Sequence, residues 1–127
     1  MRLDGKRVIV TGGAGGIGGA IARRMAEAGA RIIIADLNGD KAEASARTLG
    51  GGHGAVTVDV ADLASVNAMV AAAEKQLGGV DVLVHSAGVA MLRDIFDTDP
   101  ADWKRVIDIN LMGTYYACYA VAKSIVA

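Results

Sequence analysis

The chain has 127 residues, of which 53% are hydrophobic and 21% are charged, and its formal net charge is −1 at pH 7. This length is typical of one domain, residues 1–127, and the apolar content excludes an intrinsically disordered protein. The near-neutral charge excludes an electrostatic surface for nucleic acid. One cysteine and two histidines exclude an intrachain disulfide and a thiolate or multi-histidine metal site.

The chain also lacks the sequence features of a secreted or membrane protein. Asp4 interrupts the N-terminus too early for the apolar segment of a signal peptide. The longest uncharged apolar run, residues 111–122, is too short to cross a bilayer. Lysines and arginines are scattered and are expected mostly on solvated helix faces. We therefore expect a cytoplasmic protein without membrane contacts.

The first half of the chain alternates between strand and helix patterns. Residues 7–11 (RVIVT) and 31–35 (RIIIA) have the apolar composition of strands buried on both faces. Apolar residues at helical spacing predict a helix after each strand. Gly29 is predicted to end the first helix, and the glycines at 50–52 are predicted to end the second.

The same alternation continues in the second half. Brief strands are predicted at residues 55–58 and 80–84, with a third helix between them that Asp62 caps. A final helix is predicted to begin at Asp99-Pro100 and to run to near the C-terminus. Four alternations with right-handed crossovers predict an α/β fold with a doubly wound parallel sheet and strand order 3-2-1-4.

Six glycines occupy the join between the first strand and the first helix, in the segment VTGGAGGIGGAI of residues 10–21. Ligands bind beyond the carboxyl ends of the strands in such sheets, where a helix N-terminus presents free N–H groups. Residues without Cβ atoms let a pyrophosphate approach the main chain. Two glycine spacings fit, Gly13-x-Gly15-x-x-Gly18 and Thr11-Gly12-x-x-x-Gly16-x-Gly18.

Asp36 follows the second strand, eighteen residues after the last glycine of either motif. A carboxylate at this point accepts hydrogen bonds from both hydroxyls of an adenine ribose and repels a 2′-phosphate. Ala14, Gly15 and Leu37 provide no cation to neutralise such a phosphate. The sequence therefore favours NAD over NADP, with a solvated loop aspartate as the alternative.

These motifs together resemble those of the short-chain dehydrogenase/reductase family over essentially the whole chain. Residues 11–18 are similar to its TGxxxGIG signature, which selects the wider glycine spacing. Asp59-Val60 resembles the pair that contacts the adenine ring, and Asn110 matches the helix asparagine of the catalytic tetrad. The resemblance implies a Rossmann-type fold and reversible hydride transfer between a secondary alcohol and a ketone. The cofactor contacts that it implies are Thr11, Gly12, Gly16, Ile17, Gly18, Asp36, Leu37, Asp59, Val60, Ser86, Ala87 and Gly88.

The chain departs from the family pattern in two respects. The family usually has Asn-Asn-Ala-Gly after the fourth strand, where this chain has residues 85–88, HSAG. The family's serine and Tyr-x-x-x-Lys pair would lie beyond Ala127, which implies that the chain is the N-terminal portion of a longer fold. Tyr119 and Lys123 have the same spacing, but Tyr119 lies nine residues or roughly 13 Å along a continuous helix from Asn110. We therefore predict that Tyr119 packs or lies in an interface.

Two functions remain open on the residues alone. One is an NAD-dependent oxidoreductase, and the other is a nucleotide-binding module or folding fragment without turnover. A hydrolase based on His85 and Ser86 is disfavoured, because adjacent strand residues point to opposite faces and no G-x-S-x-G motif is present. An apolar edge strand and a last helix with little polar surface predict either a fragment or a homo-oligomer. In relatives this helix contributes to a dimer interface.

Overall fold

A computed structural model describes residues 1–127 and contains one four-stranded sheet with helices on both faces. The strands are β1 (Arg7–Thr11), β2 (Arg31–Asp36), β3 (Gly54–Thr57) and β4 (Val82–His85). The helices are α1 (Gly16–Glu27), α2 (Gly39–Thr48), α3 (Leu63–Leu77), α4 (Pro100–Ile107) and α5 (Gly113–Val126). All strand pairs are parallel, in the order β3-β2-β1-β4, which confirms the predicted fold class and strand order.

Two apolar layers cover the sheet because successive strand side chains point to opposite faces. Ile9 and Ile33 pack with apolar residues of α3 and α5 on one face. Val8 and Ile32 pack with alanines of α1 and α2 on the other face. Both faces of β1 and β2 are therefore buried, as the continuous apolar sequence of these strands predicts.

The predicted helix boundaries follow local capping. The Asp62 side chain accepts a hydrogen bond from the Ala64 amide at the start of α3. The Asp99 side chain, which precedes Pro100 at the start of α4, accepts one from the Ala101 amide. Gly29 follows the C-cap of α1 with a φ of 101°. Strand boundaries were less accurate, since β3 begins and ends one residue early and β4 begins two residues late relative to prediction.

The predicted single helix at the C-terminal end is wrong in one respect. The helical run changes to a π-helical segment at Asp108–Met112 between α4 and α5. The Thr114 hydroxyl donates to the Asn110 carbonyl at 2.6 Å within this wider turn. A threonine hydroxyl that bonds to the main-chain carbonyl four residues earlier often accompanies a distortion of the helix, and a change to π-helical pairing has no signal in the hydrophobic period.

β4 forms an edge of the sheet and pairs only with β1. No helix combines the length and the apolar character that are needed to cross a bilayer.

Candidate functional site

A cleft of about 750 Å³ lies at the carboxyl ends of the strands. Most of the predicted cofactor contacts line it: Gly12, Gly16, Ile17, Asp36, Leu37, Asp59, Val60, Ser86, Ala87 and Gly88. Thr11 and Gly18 are buried and do not line the cleft, and Asn110 also lies outside its wall. The residues that the sequence separates by up to 76 positions therefore meet at one edge of the sheet.

The glycine turn packs directly against the turn that follows β4. Gly12 has a φ of +64°, and a Cβ there would lie 2.8 Å from the Ala87 nitrogen. A Cβ on Gly18 would overlap the Gly12 carbonyl oxygen. A side chain at either position forces these backbone segments apart, so the absence of Cβ atoms determines the shape of the cleft.

The N-terminus of α1 opens into the cleft without a side-chain cap. Its N-cap residue is Gly15, which provides no acceptor, and its first turn contains no acidic residue. The first N–H groups of a helix lack intrahelical partners, and the helix dipole places partial positive charge there. This arrangement fits the diphosphate of a dinucleotide, because the backbone donors are free and exposed.

The Asp36 carboxylate is fixed at the end of β2 by two backbone amides. One oxygen accepts from Ala14 and the other from Asn38, each at 3.1 Å. The bond to Ala14 joins the carboxylate to the glycine turn. An ionised carboxylate has about four acceptor positions, so two remain for the hydroxyls of a sugar.

Two cations that the sequence motifs do not predict lie on the cleft wall. Lys41 lies in the first turn of α2, where its amide donates to the N-cap Asn38, and Arg105 lies on α4. Both are exposed. The only available signal for Lys41 was its position three residues after a capping asparagine, which predicts the helix start but not the direction of the side chain.

Asp59 and Val60 form the wall of the cleft after β3. The Asp59 side chain accepts from the Ala61 amide at 3.0 Å, and the Ser65 hydroxyl accepts from the Asp59 amide at 2.9 Å. Val60 is buried and contacts the backbone of Gly113, where a Cβ would lie 2.9 Å from Val60 Cγ2. The first helical turn after the π segment is therefore packed closely against this wall.

Thr11 and His85 connect β1 to β4 directly behind the cleft. The Thr11 hydroxyl lies 2.8 Å from His85 Nδ1 and accepts from the amides of Ser86 at 3.2 Å and Ala87 at 3.3 Å. Burial lowers the pKa of His85, because the charged ring loses hydration. His85 thus provides the polar link between strands at the position where the resemblance implied an asparagine.

Asn110 holds the loop that follows β4. Its amide nitrogen donates to the Val89 carbonyl at 2.7 Å, and its amide oxygen accepts from the Val89 amide at 2.9 Å. The same oxygen lies 3.2 Å from the position of a Cβ on Gly88. Asn110 therefore contacts the cleft through Gly88 and Val89.

Tyr119 lies outside the cleft wall. Its ring stacks on Tyr115 with centroids 5.7 Å apart, and the Lys123 ammonium lies 4.0 Å from its centroid. The Tyr-x-x-x-Lys spacing here forms a cation–π pair on one face of α5.

A family model described as short chain dehydrogenase matches residues 6–127. The chain belongs to the short-chain dehydrogenase family. D-threitol dehydrogenase of Mycolicibacterium smegmatis is 49% identical over 97% of this chain. Galactitol 2-dehydrogenase of Agrobacterium fabrum is 39% identical over the whole chain. The resemblance that the sequence motifs indicated is thereby confirmed at the level of the family.

Solved structures agree with this assignment. The crystal structure of gox2181 has a TM-score of 0.92 and 39% identity over 98% of this chain. A dehydrogenase/reductase from Sinorhizobium meliloti has a TM-score of 0.91 and 31% identity over the same share. The chain spans about half the length of these relatives, covering 48% of the threitol enzyme and 50% of gox2181.

Proposed function

We propose that this short-chain dehydrogenase chain binds NAD in the cleft and serves as the cofactor-binding part of an oxidoreductase. The observation that carries the proposal is Asp36, whose carboxylate is bonded to the Ala14 amide of the glycine turn. One wall thus combines an acceptor pair for a ribose with a helix N-terminus for a diphosphate.

Each part of the cleft has a role in this proposal. The α1 N-terminus with Gly12 and Gly16 binds the diphosphate through main-chain N–H groups, and Asp36 binds the adenine ribose. Asp59 and Val60 form the wall for the adenine ring. Bound nicotinamide supplies the hydride chemistry, whereas the protein supplies orientation and exclusion of water.

The relatives favour polyols as the substrates of the whole protein. The two relatives described above are named for D-threitol and galactitol, which are both polyols. A secondary hydroxyl of a polyol is oxidised to a ketone by transfer of hydride to the nicotinamide and of a proton to a base. We therefore propose a polyol as the alcohol and the corresponding ketose as the ketone.

A second candidate is a nucleotide-binding module without turnover. It is favoured by one observation, which is that no tyrosine lines the cleft and Tyr119 is engaged by Tyr115 and Lys123. Without a tyrosine at the cleft, the chain has no phenolate there to accept the proton of the alcohol, so this candidate binds the cofactor without turnover.

We also propose that the protein forms a homo-oligomer. Support comes from the single-sided pairing of β4 and from large apolar side chains that are exposed on the C-terminal third. Leu111 and Tyr115 are 62% and 58% exposed on consecutive turns of the same helical run. Exposed apolar surface of this kind is typical of an interface.

Calorimetric titration of the chain with NAD and NADP tests the cofactor assignment. We expect NAD to bind more tightly, and Asp36→Ala to weaken NAD binding by about tenfold or more, because charge-assisted hydrogen bonds are lost. Asp97→Ala is the matched control, since Asp97 is exposed and does not line the cleft or the cavity beside Asp36. Equal effects of the two substitutions would contradict the proposal. Lys41→Ala tests whether this cation supports NADP binding instead.

Turnover separates the two candidates. NADH formation is measured with D-threitol and galactitol as substrates. Sustained NADH formation by the whole protein that contains this chain supports the oxidoreductase, whereas NAD binding without turnover by that whole protein supports the module.

A further inference from the structure

The Thr11 hydroxyl is the point where the glycine turn and the β4 turn meet. It is fully buried and has three polar neighbours: the amides of Ser86 and Ala87, and Nδ1 of His85. A hydroxyl group has one hydrogen to donate and two lone pairs to accept with. The Ser86 amide divides its hydrogen between this hydroxyl and the Thr11 main-chain carbonyl, each at 3.2 Å, whereas the Ala87 amide donates to the hydroxyl alone. Both lone pairs of the hydroxyl therefore face amide donors.

This count determines the protonation of His85. The single Thr11 hydrogen must be directed at Nδ1, which accepts it only when it is unprotonated. The neutral ring then carries its proton on Nε2, and burial disfavours the cationic form. Nε2 is buried and is the one such side-chain nitrogen or oxygen without a hydrogen-bond partner. Nδ1 is therefore the only ring nitrogen of His85 with a hydrogen bond, and this bond orients the Thr11 hydroxyl.

The orientation of Thr11 affects the shape of the cleft. With its hydrogen on His85, the hydroxyl accepts from Ser86 and Ala87, which both line the cleft. Gly12, next to Thr11 in the chain, leaves no room for a Cβ beside the Ala87 backbone. Without the acceptor at Nδ1, the hydroxyl is free to rotate and release the Ala87 amide, whereas the Ser86 amide keeps the Thr11 main-chain carbonyl as an acceptor.

We infer that His85 is a positioning residue for the dinucleotide, acting through Thr11 in the neutral, Nε2-protonated form. It fixes the β4 turn against the glycine turn so that Ser86, Ala87 and Gly12 keep the cleft open at the correct width. The inference rests on the proposed function for its effect on cofactor binding. The link between His85 and Thr11 is testable without cofactor.

The first test measures the ring itself. The chain has only two histidines, so ¹⁵N-histidine labelling gives two ring systems that His53→Gln assigns. Long-range ¹H–¹⁵N correlation spectra at neutral pH are expected to show His85 with the proton on Nε2. Thr11→Val is expected to shift the His85 nitrogens and to leave those of His53 unchanged. A proton on Nδ1 of His85 overturns the inference.

The second test compares two substitutions of His85. Asn retains an acceptor the same number of bonds from Cβ as Nδ1, whereas Leu has similar bulk without an acceptor. Amide hydrogen exchange at Ala87 is expected to be faster in His85→Leu than in His85→Asn, and exchange at Ser86 is expected to change less because this amide also donates to the Thr11 carbonyl. NADH is expected to bind about tenfold more weakly to His85→Leu and within about threefold of wild type to His85→Asn. If His85 only fills space, His85→Leu is expected to bind NADH as tightly as His85→Asn, or more tightly.

These measurements distinguish failure of the His85–Thr11 link from failure of the protein to bind NAD. Ring protonation and amide exchange are measured without cofactor, so they judge the His85–Thr11 link even if wild type does not bind NADH. Equal exchange in the Leu and Asn variants overturns the inference. If His85→Leu does not fold, Thr11→Val against Thr11→Ser repeats the comparison from the other side, with faster exchange expected only for Val.

Discussion

Arg7 and Asp81 join β1 to the start of β4 at the amino ends of the strands. The cleft lies at the opposite, carboxyl ends. The guanidinium donates to both carboxylate oxygens at 2.8 and 2.9 Å, and the Arg7 amide donates to one of them at 2.9 Å. A further guanidinium N–H donates to the Gly78 carbonyl at the C-terminus of α3. Arg7 lies in the first strand, as predicted, and is one of the basic residues that do not lie on a solvated helix face.

We expect the Arg7–Asp81 pair to contribute to stability at neutral pH and not in acid. The guanidinium and amide of Arg7 hold the pKa of Asp81 well below its usual value of 3.8. Because the pKa is lower in the folded than in the unfolded chain, this contribution is present above the unfolded value and is lost as the pH falls below it. Asp81→Asn is expected to lower the free energy of unfolding at neutral pH and to reduce its fall between about pH 4 and 2.

Urea denaturation at a series of pH values measures this effect. Asp40→Asn is the control, because Asp40 is exposed on α2 and forms no ion pair. If the free energy of unfolding of Asp81→Asn falls with pH in parallel with that of wild type, the Arg7–Asp81 pair is not the source of this pH dependence.

The candidate site was only partly predictable at the level of single residues. The glycine spacing and Asp36 are local signals, because a turn and a strand end lie within a few residues of each motif. The His85–Thr11 link joins residues 74 positions apart and depends on strand order and register. The place of Lys41 on the cleft wall depends on the direction of its side chain, which residue spacing does not predict. The cofactor role of all these residues remains a prediction.

The glycine turn between β1 and α1 gives a test at the level of an element. Gly12→Ala is expected to weaken NADH binding by more than tenfold, because its φ of +64° costs about 1–2 kcal/mol for an L-residue and its Cβ contacts Ala87. Gly51→Ala is the matched control, since Gly51 lies outside the cleft, its φ is not positive and its Cβ would meet no atom within 4 Å. Fluorescence titration with NADH and thermal denaturation measure both variants. Equal NADH affinities would refute a steric role for this turn.

The π segment before α5 gives a second test at this level. Asn110→Ala removes both bonds to Val89, so amide exchange at Val89 is expected to increase by roughly fivefold, as about 1 kcal/mol of hydrogen bonding is lost. Asn67→Ala, at an exposed position on α3, is the control. Unchanged exchange at Val89 would show that Asn110 does not hold the loop.

The elements differ in how far sequence predicts them. Strands β1 and β2 were predicted to within one residue, because continuous β-branched runs are distinctive. β3 and β4 have only four residues each and partly exposed side chains, so their apolar patterns shift by one or two positions. The π segment was missed because a change in helical hydrogen bonding leaves the apolar spacing nearly unchanged.

At the scale of the whole molecule, the fold is asymmetric in its burial. β1 and β2 are covered on both faces and paired on both sides, whereas the outer strands β3 and β4 are each paired on one side only. Large apolar side chains are also exposed in the C-terminal third. They include Leu92, Ile95, Phe96, Leu111, Tyr115 and Val126. An open strand edge beside exposed apolar surface favours association with another chain or another segment.

We therefore expect the 127-residue chain to associate in solution in a concentration-dependent manner. Leu111→Lys places a charge on an exposed apolar position and is expected to shift the chain towards monomer in sedimentation velocity experiments, because burying an unpaired charge in an interface is unfavourable. Ala44→Lys is the control, since it adds the same charge at an exposed position on α2. A single monomeric species for wild type at every concentration would contradict the expectation. Equal association of the two variants would exclude Leu111 from the interface and move the contact to another part of the surface, such as the open edge of β4.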